Sequence, residues 1–275
     1  MILLVYSLLD IAGVNIAQQI LKQHVFKKSS VTYKNSPLYT AKINNCQVTL
    51  VALQDEVVYA QYLQKDFPDA DLVVFLSRHS SQSGKPTLTV HTPGNFADAE
   101  FGGVPKTLSV APAAVMQAAL KTLDYYKQSL SLSNYQVCYE CTHHGPSIDV
   151  PAMFVELGSS PVQWGDVQGA KAVAQSAISA INAFTNVSFS AVLGIGGTHY
   201  TEKFTALALS ESVLFGHMIP KYAVASIDAA MIKQCIERTF EKVQLALLDW
   251  KGIRSDDKPG LLFALETVEL PYRKV

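Results

Sequence analysis

Between Tyr135 and Gly158 the chain places two adjacent imidazoles and a carboxylate in one stretch, YQVCYECTHHGPSIDVPAMFVELG. His143 and His144 lie in a loop punctuated by Gly145 and Pro146, and Glu156 lies inside the apolar run that follows. Imidazole and carboxylate together can bind a metal ion, or act as a base and the group that orients it. Taken alone, such a stretch is ordinarily a pair of loop histidines and a solvated glutamate. The other histidines change that. His79, His91 and His199 also fall at the end of, or just past, runs with strand character, and only His24 and His217 do not. In α/β proteins ligands bind in the crevice beyond the carboxyl ends of strands. Four separate segments would then deliver imidazole to one edge of one sheet, as expected of a site assembled from strand-end loops.

The elements around these residues must position them. Met1–Ser7 reads as a strand, and Asp10 as the cap of a helix running to about His24, with Ile11, Val14, Ala17, Ile20 and Leu21 at helical spacing. Residues 31–46 suggest two short strands, 47–53 a further strand and 57–65 a short helix. Asp71–Ser77 is a buried strand ending in a polar loop, and Thr87–His91 returns as a strand. Residues 111–130 form a helix with Pro112 in its first turn. Tyr135–Glu140 and Met153–Leu157 are the central strands. Asp166 caps a helix to about Phe184, Ser188–Ile195 is a strand, and 202–209 is helical. Ser226 or Asp228 opens a long helix to about Trp250, ended by Gly252, and Leu261–Val268 is a last strand. This alternation predicts a three-layer α/β/α sandwich around a mixed central sheet. With no repeat, low-complexity segment or linker, residues 1–275 read as a single α/β domain.

Composition sets the bounds. The chain is 49% hydrophobic and 16% charged, with mean hydropathy +0.16, enough to bury a large core and contrary to disorder. No run approaches the ~20 apolar residues of a membrane span, and Met1–Val5 lacks the basic flank of a signal peptide, so the expected location is the cytoplasm, with no membrane partner. A net charge of -1 and an isoelectric point near 6.6 argue against a global nucleic-acid field. The first fifty residues are nevertheless locally basic, with Lys22, Lys27, Lys28, Lys34 and Lys42 against Asp10; this is either a phosphate-facing patch or a solvated lysine face. Cys138 and Cys141 form a C-x-x-C that lies in strand rather than at a helix start. Both read as core cysteines, with a ligand role left open for Cys141.

Four blocks carry a family resemblance: SRHSSQSGKPTLTVHTPGN (Ser77 to Asn95), THHGPSIDVPAMFVELGSS (Thr142 to Ser160), GIGGTHYTEKF (Gly194 to Phe204) and GHMIPKY (Gly216 to Tyr222). Together they resemble the archaeal and plant type of D-aminoacyl-tRNA deacylase, over nearly the whole chain. Cys141, where a small residue is expected, is a departure that touches no proposed role. The resemblance implies hydrolysis of the ester joining a D-amino acid to the 3′-terminal adenosine of tRNA. It also implies zinc and a phosphorylase- or peptidyl-tRNA hydrolase-like fold.

On that basis His143, His144, Glu156 and His199 are the expected catalytic residues. His91, His144, Glu156 and His199 are the expected zinc ligands. His143 and His144, adjacent in an extended loop, should project apart, so His144 is given to the metal and His143 to substrate or proton transfer. Ser77, Arg78, His79, Ser80, Lys85, His91 and Lys221 are expected to hold the acceptor end of the D-aminoacyl-tRNA. Gly196 and Gly197 could offer N–H groups to an oxyanion or phosphate, or simply make a tight turn. Water could be activated by the metal or by an imidazole that Glu156 orients. A monomer or small homo-oligomer is expected. Two rivals remain open: a zinc-dependent peptidase or amidase, which would cut peptides without RNA, and a non-catalytic tRNA- or nucleotide-binding protein, which would leave the ester intact.

Overall fold

A computed structural model describes residues 1–184 and 190–275. The elements in chain order are β1 (Ile2–Ser7), α1 (Ile11–Gln23), β2 (Lys27–Tyr33), β3 (Ser36–Ile43), β4 (Cys46–Leu53), α2 (Leu63–Asp66), β5 (Leu72–Arg78), β6 (Thr87–His91), α3 (Ala113–Ser129), β7 (Gln136–Tyr139), β8 (Ala152–Gly158), α4 (Pro161–Trp164), α5 (Val167–Ala183), β9 (Ser190–Ile195), α6 (Glu202–Ser210), β10 (Phe215–Ile219), α7 (Ala229–Glu237), β11 (Lys242–Leu248), α8 (Lys258–Thr267) and β12 (Tyr272–Lys274). Asp10 and Asp166 cap their helices as the sequence predicts. Asp10 accepts from Ala12 and Gly13 N–H, and Asp166 from Gln168 and Gly169 N–H.

Eight strands form a mixed sheet in the order β2-β3-β4-β1-β5-β8-β6-β7. β4, β1, β5 and β8 run parallel to one another, whereas β6 pairs antiparallel with β8 and carries β7 parallel to itself. Strand alternation then sorts the side chains. Met153, Val155 and Leu157 of β8 join Leu72, Val74 and Leu76 of β5 in a core shared with residues of α1, α3 and α5. Phe154 and Phe75 belong to a smaller core on the opposite face, with Val57, Ala60, Leu63 and Ile148. Glu156 and Ser77 fall on that second face. A separate parallel sheet, β10-β9-β11-β12, packs its own core against residues of α7 and α8.

Three expectations are corrected. The long helix over 226–250 is α7 followed by β11: the run VQLALL has good helix formers, but β9 and β12 hydrogen-bond it on both sides, and tertiary pairing overrides propensity. Gly252 therefore follows a strand and ends no helix. Leu261–Val268 lies not in a strand but in and just beyond α8, with Leu261, Ala264 and Leu265 buried at helical spacing. The expected strand start at Ser188 lies outside the described residues. A sheet of its own for β9–β12 was also not foreseen, because Phe215–Ile219 is too short and too mixed to announce a strand.

Candidate active site

The site stands on the second face of the large sheet. In β5 and β8, Ser77 pairs with Glu156 in register, and Ser77 Oγ donates to Glu156 Oε1 at 2.6 Å. β6 ends in His91, whose ring stacks on Phe154 at 4.9 Å with a 7° interplanar angle. Glu140 follows β7 and is fully buried. Its Oε2 lies 2.7 Å from His199 Nε2, and its Oε1 lies 3.0 Å from His79 Nδ1. The same His79 nitrogen is 3.5 Å from Glu156 Oε2, and His79 Nε2 meets the Tyr200 hydroxyl at 2.8 Å. The convergence of His79, His91, His143, His144 and His199 is thus as the sequence suggests, but not at one sheet edge. Because β6 and β7 run against β5 and β8, their carboxyl ends point the other way, and the side chains meet over the face between them.

The loop after β7 supplies His143 and His144. His144 has φ 43°, in the left-handed region. Gly145 has no room for a side chain: an added Cβ would lie 2.2 Å from Gly103 N. His143 Nδ1–H donates to Cys141 O at 2.8 Å and His144 Nδ1–H to Gly145 O at 2.7 Å, which leaves both Nε2 atoms as acceptors or ligands. The expectation that the two rings project apart is corrected. Their centroids are 4.3 Å apart, and His91, His143 and His144 all bring a ligand atom within 4.8 Å of one another. The left-handed residue breaks the alternation that an extended loop would impose.

The electrostatics divide the imidazoles. Burial opposes charge on His79, but Glu140 and Glu156 outweigh it and raise its pKa to about 12. Burial likewise opposes charge on His199, yet its contacts with Cys141 and Glu140 raise it to about 10. Burial also disfavours charge on Glu140 and Glu156. Their imidazole neighbours, His79 above all, hold both below the ordinary carboxylate range. His143 and His144 go the other way: burial and the nearby His91 push His143 well down and His144 to about 4. At neutral pH the cluster therefore holds two carboxylates, two imidazolium rings and two neutral rings with free Nε2 lone pairs.

Among the described residues, four groups of side chains have metal-ligand spacing: His91–His143–His144, Cys141–His143–His199, His79–Glu140–His199 and His91–Glu140–Glu156. The expected ligand set His91, His144, Glu156 and His199 is not one of them; its members are shared out among the four. Among the described residues, His91 Nε2 and Glu140 Oε1 are buried with no hydrogen-bond partner, despite the charge contact of Glu140 with His79. Both belong to the His91–Glu140–Glu156 group, in which His91 Nε2 has no hydrogen bond and faces Glu156 Oε1 at 3.8 Å.

A cavity of about 490 Å³ opens over the cluster, lined by Ser77, Arg78, His79, Ser80, His143, His144, Glu156 and His199. A second, of about 440 Å³, lies across His143 and His144 and is walled by Phe96, Phe101 and Tyr222. Arg78 borders the first cavity with its guanidinium already bound to Glu56 at 3.0 Å and 3.9 Å from Asp10, so it braces the wall. Lys85 is exposed and lines neither cavity. Gly196 and Gly197 have φ of 104° and 81°, but the Gly196 N–H is taken by Ile219 O, and Gly197 lines a different cavity with Lys221. The tight-turn reading fits Gly196 better. Two participants escape the sequence reading. Glu140 was visible as a carboxylate closing an apolar strand, the same signal that picks out Glu156. Tyr200 carried no signal beyond its place after His199.

A sequence model of the D-aminoacyl-tRNA deacylase family matches residues 66–272. The D-aminoacyl-tRNA deacylase of Pyrococcus abyssi is 32% identical over 255 residues, covering 90% of each chain. That of Methanococcus vannielii is 37% identical over 222 residues, 77% of this chain and 85% of its own. The crystal structure of a conserved protein of unknown function, AF0625, superposes with TM-score 0.88 at 28% identity, over all of this chain and 95% of the other.

Proposed function

The chain belongs to the D-aminoacyl-tRNA deacylase family, and from that membership we propose that it hydrolyses the ester between a D-amino acid and the 3′ end of tRNA at the Glu140–Glu156–histidine cluster. The observation that carries the assignment is that His79, His143, His144, His199 and Glu156 line one cavity. Ester hydrolysis needs an acceptor for the proton of water and a stabiliser for the oxyanion that forms. Neutral His143 and His144 take the first role. The His79 and His199 imidazolium rings face the second, and Glu140 and Glu156 fix those rings in place.

The donor set fits zinc. His91, Glu140 and Glu156 would hold the ion, two of them from the expected set and one not foreseen. When bound, such an ion lowers the pKa of a water ligand toward neutrality and polarises a carbonyl. His144 and His199 then serve proton transfer and charge stabilisation rather than coordination.

The aromatic second cavity suits the terminal adenosine, with Phe101 and Tyr222 available for stacking. Lys221, beside Tyr222, shares a further cavity with Lys251 and Arg254, and this basic rim suits the phosphates upstream. Lys27 and Lys28 are less well placed. They lie on β2, the far edge strand, paired with residues toward the end of the sheet away from Ser77. No helix among the described residues is long and apolar enough to cross a membrane. We take the enzyme to act in the cytoplasm, as a monomer or small homo-oligomer, with both sheets in one catalytic unit. Release of D-tyrosine and of L-tyrosine from charged tRNA, with and without a chelator, tests the reading. Fast release of the D isomer alone is expected, and equal rates would overturn it.

A further inference from the structure

We propose that Glu56 binds the α-ammonium group of the aminoacyl ester while Tyr59 and Phe101 carry its side chain, so that this part of the first cavity reads the handedness of the amino acid. The two cavities meet at His143, His144 and Phe101, which line both. An ester carbonyl held there, with its adenosine in the second cavity, places the α-carbon and its substituents in the first. Beside the reactive groups that cavity has an apolar wall of Val57, Val58, Tyr59 and Phe101. Tyr59 is 53% exposed and Phe101 66%, so a ligand side chain laid on them removes apolar surface from water. The wall is fixed in place. Gly102 packs on it so closely that an added Cβ would fall 2.1 Å from Val58 O and 3.2 Å from Tyr59 Cδ1. Gly145, next to His144, would put a Cβ 2.4 Å from the same carbonyl. The turn that bears Tyr59 is therefore seated directly on the loops that bear Phe101 and His144.

Glu56 precedes the 3-10 turn Val57–Tyr62, and its carbonyl accepts from Tyr59 N–H at 3.1 Å, which ties the carboxylate to the wall. Glu56 and Asp10 both line the cavity and share Arg78. Asp10 Oδ1 accepts from Ala12 and Gly13 N–H, and its Oδ2 from Arg78 N–H. Glu56 Oε1 accepts from Arg78 Nη2 at 3.0 Å. Among the described residues, Glu56 Oε2 is the oxygen of this pair that no donor reaches. An ammonium group brings both N–H donors and the opposite charge. Mirror-image esters that share one carbonyl position exchange two of the other three substituents at the α-carbon. A carboxylate on one side and aromatic rings on the other thus suit a single hand. The opposite hand sets its side chain against Glu56 and leaves Oε2 facing apolar groups without a donor.

This assignment rests on the function proposed above, and the test keeps the two apart. Release is measured from D-tyrosyl-tRNA, L-tyrosyl-tRNA and D-para-hydroxyphenyllactyl-tRNA, in which a hydroxyl replaces the amine at the same hand. Glu56→Gln keeps the side-chain volume and an oxygen for Arg78 but removes the charge. It should lower kcat/KM for D-tyrosyl-tRNA about tenfold, the scale of one charge-assisted hydrogen bond, and leave the hydroxy substrate within about twofold of wild type. Release of L-tyrosine should stay at its wild-type level, so the preference for the D isomer narrows. A structural defect would slow the amine and hydroxyl substrates alike; equal loss on both, or loss on neither, overturns the role of Glu56. Tyr59→Ala, a half-exposed position, should slow release of D-tyrosine severalfold and of D-alanine little, and equal effects on the two overturn the apolar wall. A wild type that releases neither D-amino acid would count against the proposed function instead.

Discussion

Glu140 Oε2 sits 2.7 Å from His199 Nε2, joining the end of a strand in the eight-stranded sheet to the loop beyond a strand of the four-stranded one. The contact is one of several polar links between the two sheets, beside those of Cys141 N–H to His199 O and Thr142 N–H to Met218 O. The Glu140 carboxylate has no access to solvent, so the charge it carries is sustained by the rings around it.

Glu140→Gln, which also removes one of the proposed zinc ligands, should therefore do two further things at once. It should reduce kcat for D-tyrosyl-tRNA by roughly 100-fold or more, as expected when the orienting partner of a catalytic imidazole is lost. It should also lower the pKa values of His79 and His199, because the coulombic attraction that raises them is gone. Histidine NMR titrations of wild type and variant read the second effect, and unmoved resonances would contradict the assigned charge states.

Metal content separates ligands from proton carriers. His91→Ala and Glu156→Gln should lose bound zinc and activity together. His144→Ala should keep its zinc while kcat falls by ~10²–10⁴-fold, the range typical for a lost acid–base group. Elemental analysis beside steady-state rates makes the comparison. Zinc lost from His144→Ala but retained in Glu156→Gln would move the ion to the His91–His143–His144 group.

Reversing charge on the basic rim should weaken the RNA without disturbing the chemistry. Lys221→Glu with Lys251→Glu should raise KM for charged tRNA about tenfold at moderate salt and flatten its salt dependence. A D-aminoacyl adenosine, which lacks the upstream phosphates, should show little change in KM. Lys27→Glu with Lys28→Glu, on the far edge strand, should leave both substrates nearly as they were. A rise in KM for that pair alone would move the acceptor arm to the other end of the sheet.

His217 offers a stability prediction away from the catalytic cluster. It is fully buried, with Nε2–H donated to Arg238 O at 3.0 Å and Nδ1 3.1 Å from the Thr142 hydroxyl. Burial lowers its pKa to about 4, so the unfolded chain takes up this proton before the native state does. Its contribution is present above pH ~6.5 and is lost as pH falls from there to about 4, a change on the order of 3 kcal/mol. His217→Gln should be less stable at neutral pH and show a shallower fall over that window in urea denaturation. An unchanged slope would mean that the ring is not neutral in the native state.

Much of this site was legible in the residues. The strand-end histidines and Glu156 announced themselves because strands with β-branched and aromatic runs are hard to mistake, and a charged group inside one calls for an explanation. What the chain did not reveal was direction. Nothing in Thr87–His91 says that β6 will lie antiparallel against β8, since that depends on a partner distant in sequence. The rotation of His144 into the left-handed region was equally hidden, because a neighbouring glycine and proline mark a turn without fixing which residue takes the unusual conformation. Glu140 could have been found, but one glutamate at a strand end looks like the start of a loop until its neighbours are known. The helix-or-strand ambiguity of VQLALL likewise resolves only through its hydrogen-bonded neighbours.

The reversal of β6 and β7 also determines which way the substrate must come in. A doubly wound sheet offers its rim to a ligand, and helix N-termini there supply fixed positive charge. Here the reactive groups form a floor, and α1, the helix whose start borders the first cavity, has its Ala12 and Gly13 N–H groups taken by its own Asp10. Beside any bound ion, positive charge at the ester comes from side chains that carry a removable proton. An enzyme so built tunes its oxyanion stabiliser through the local carboxylates, and any change that neutralises one of them dims the whole field at once.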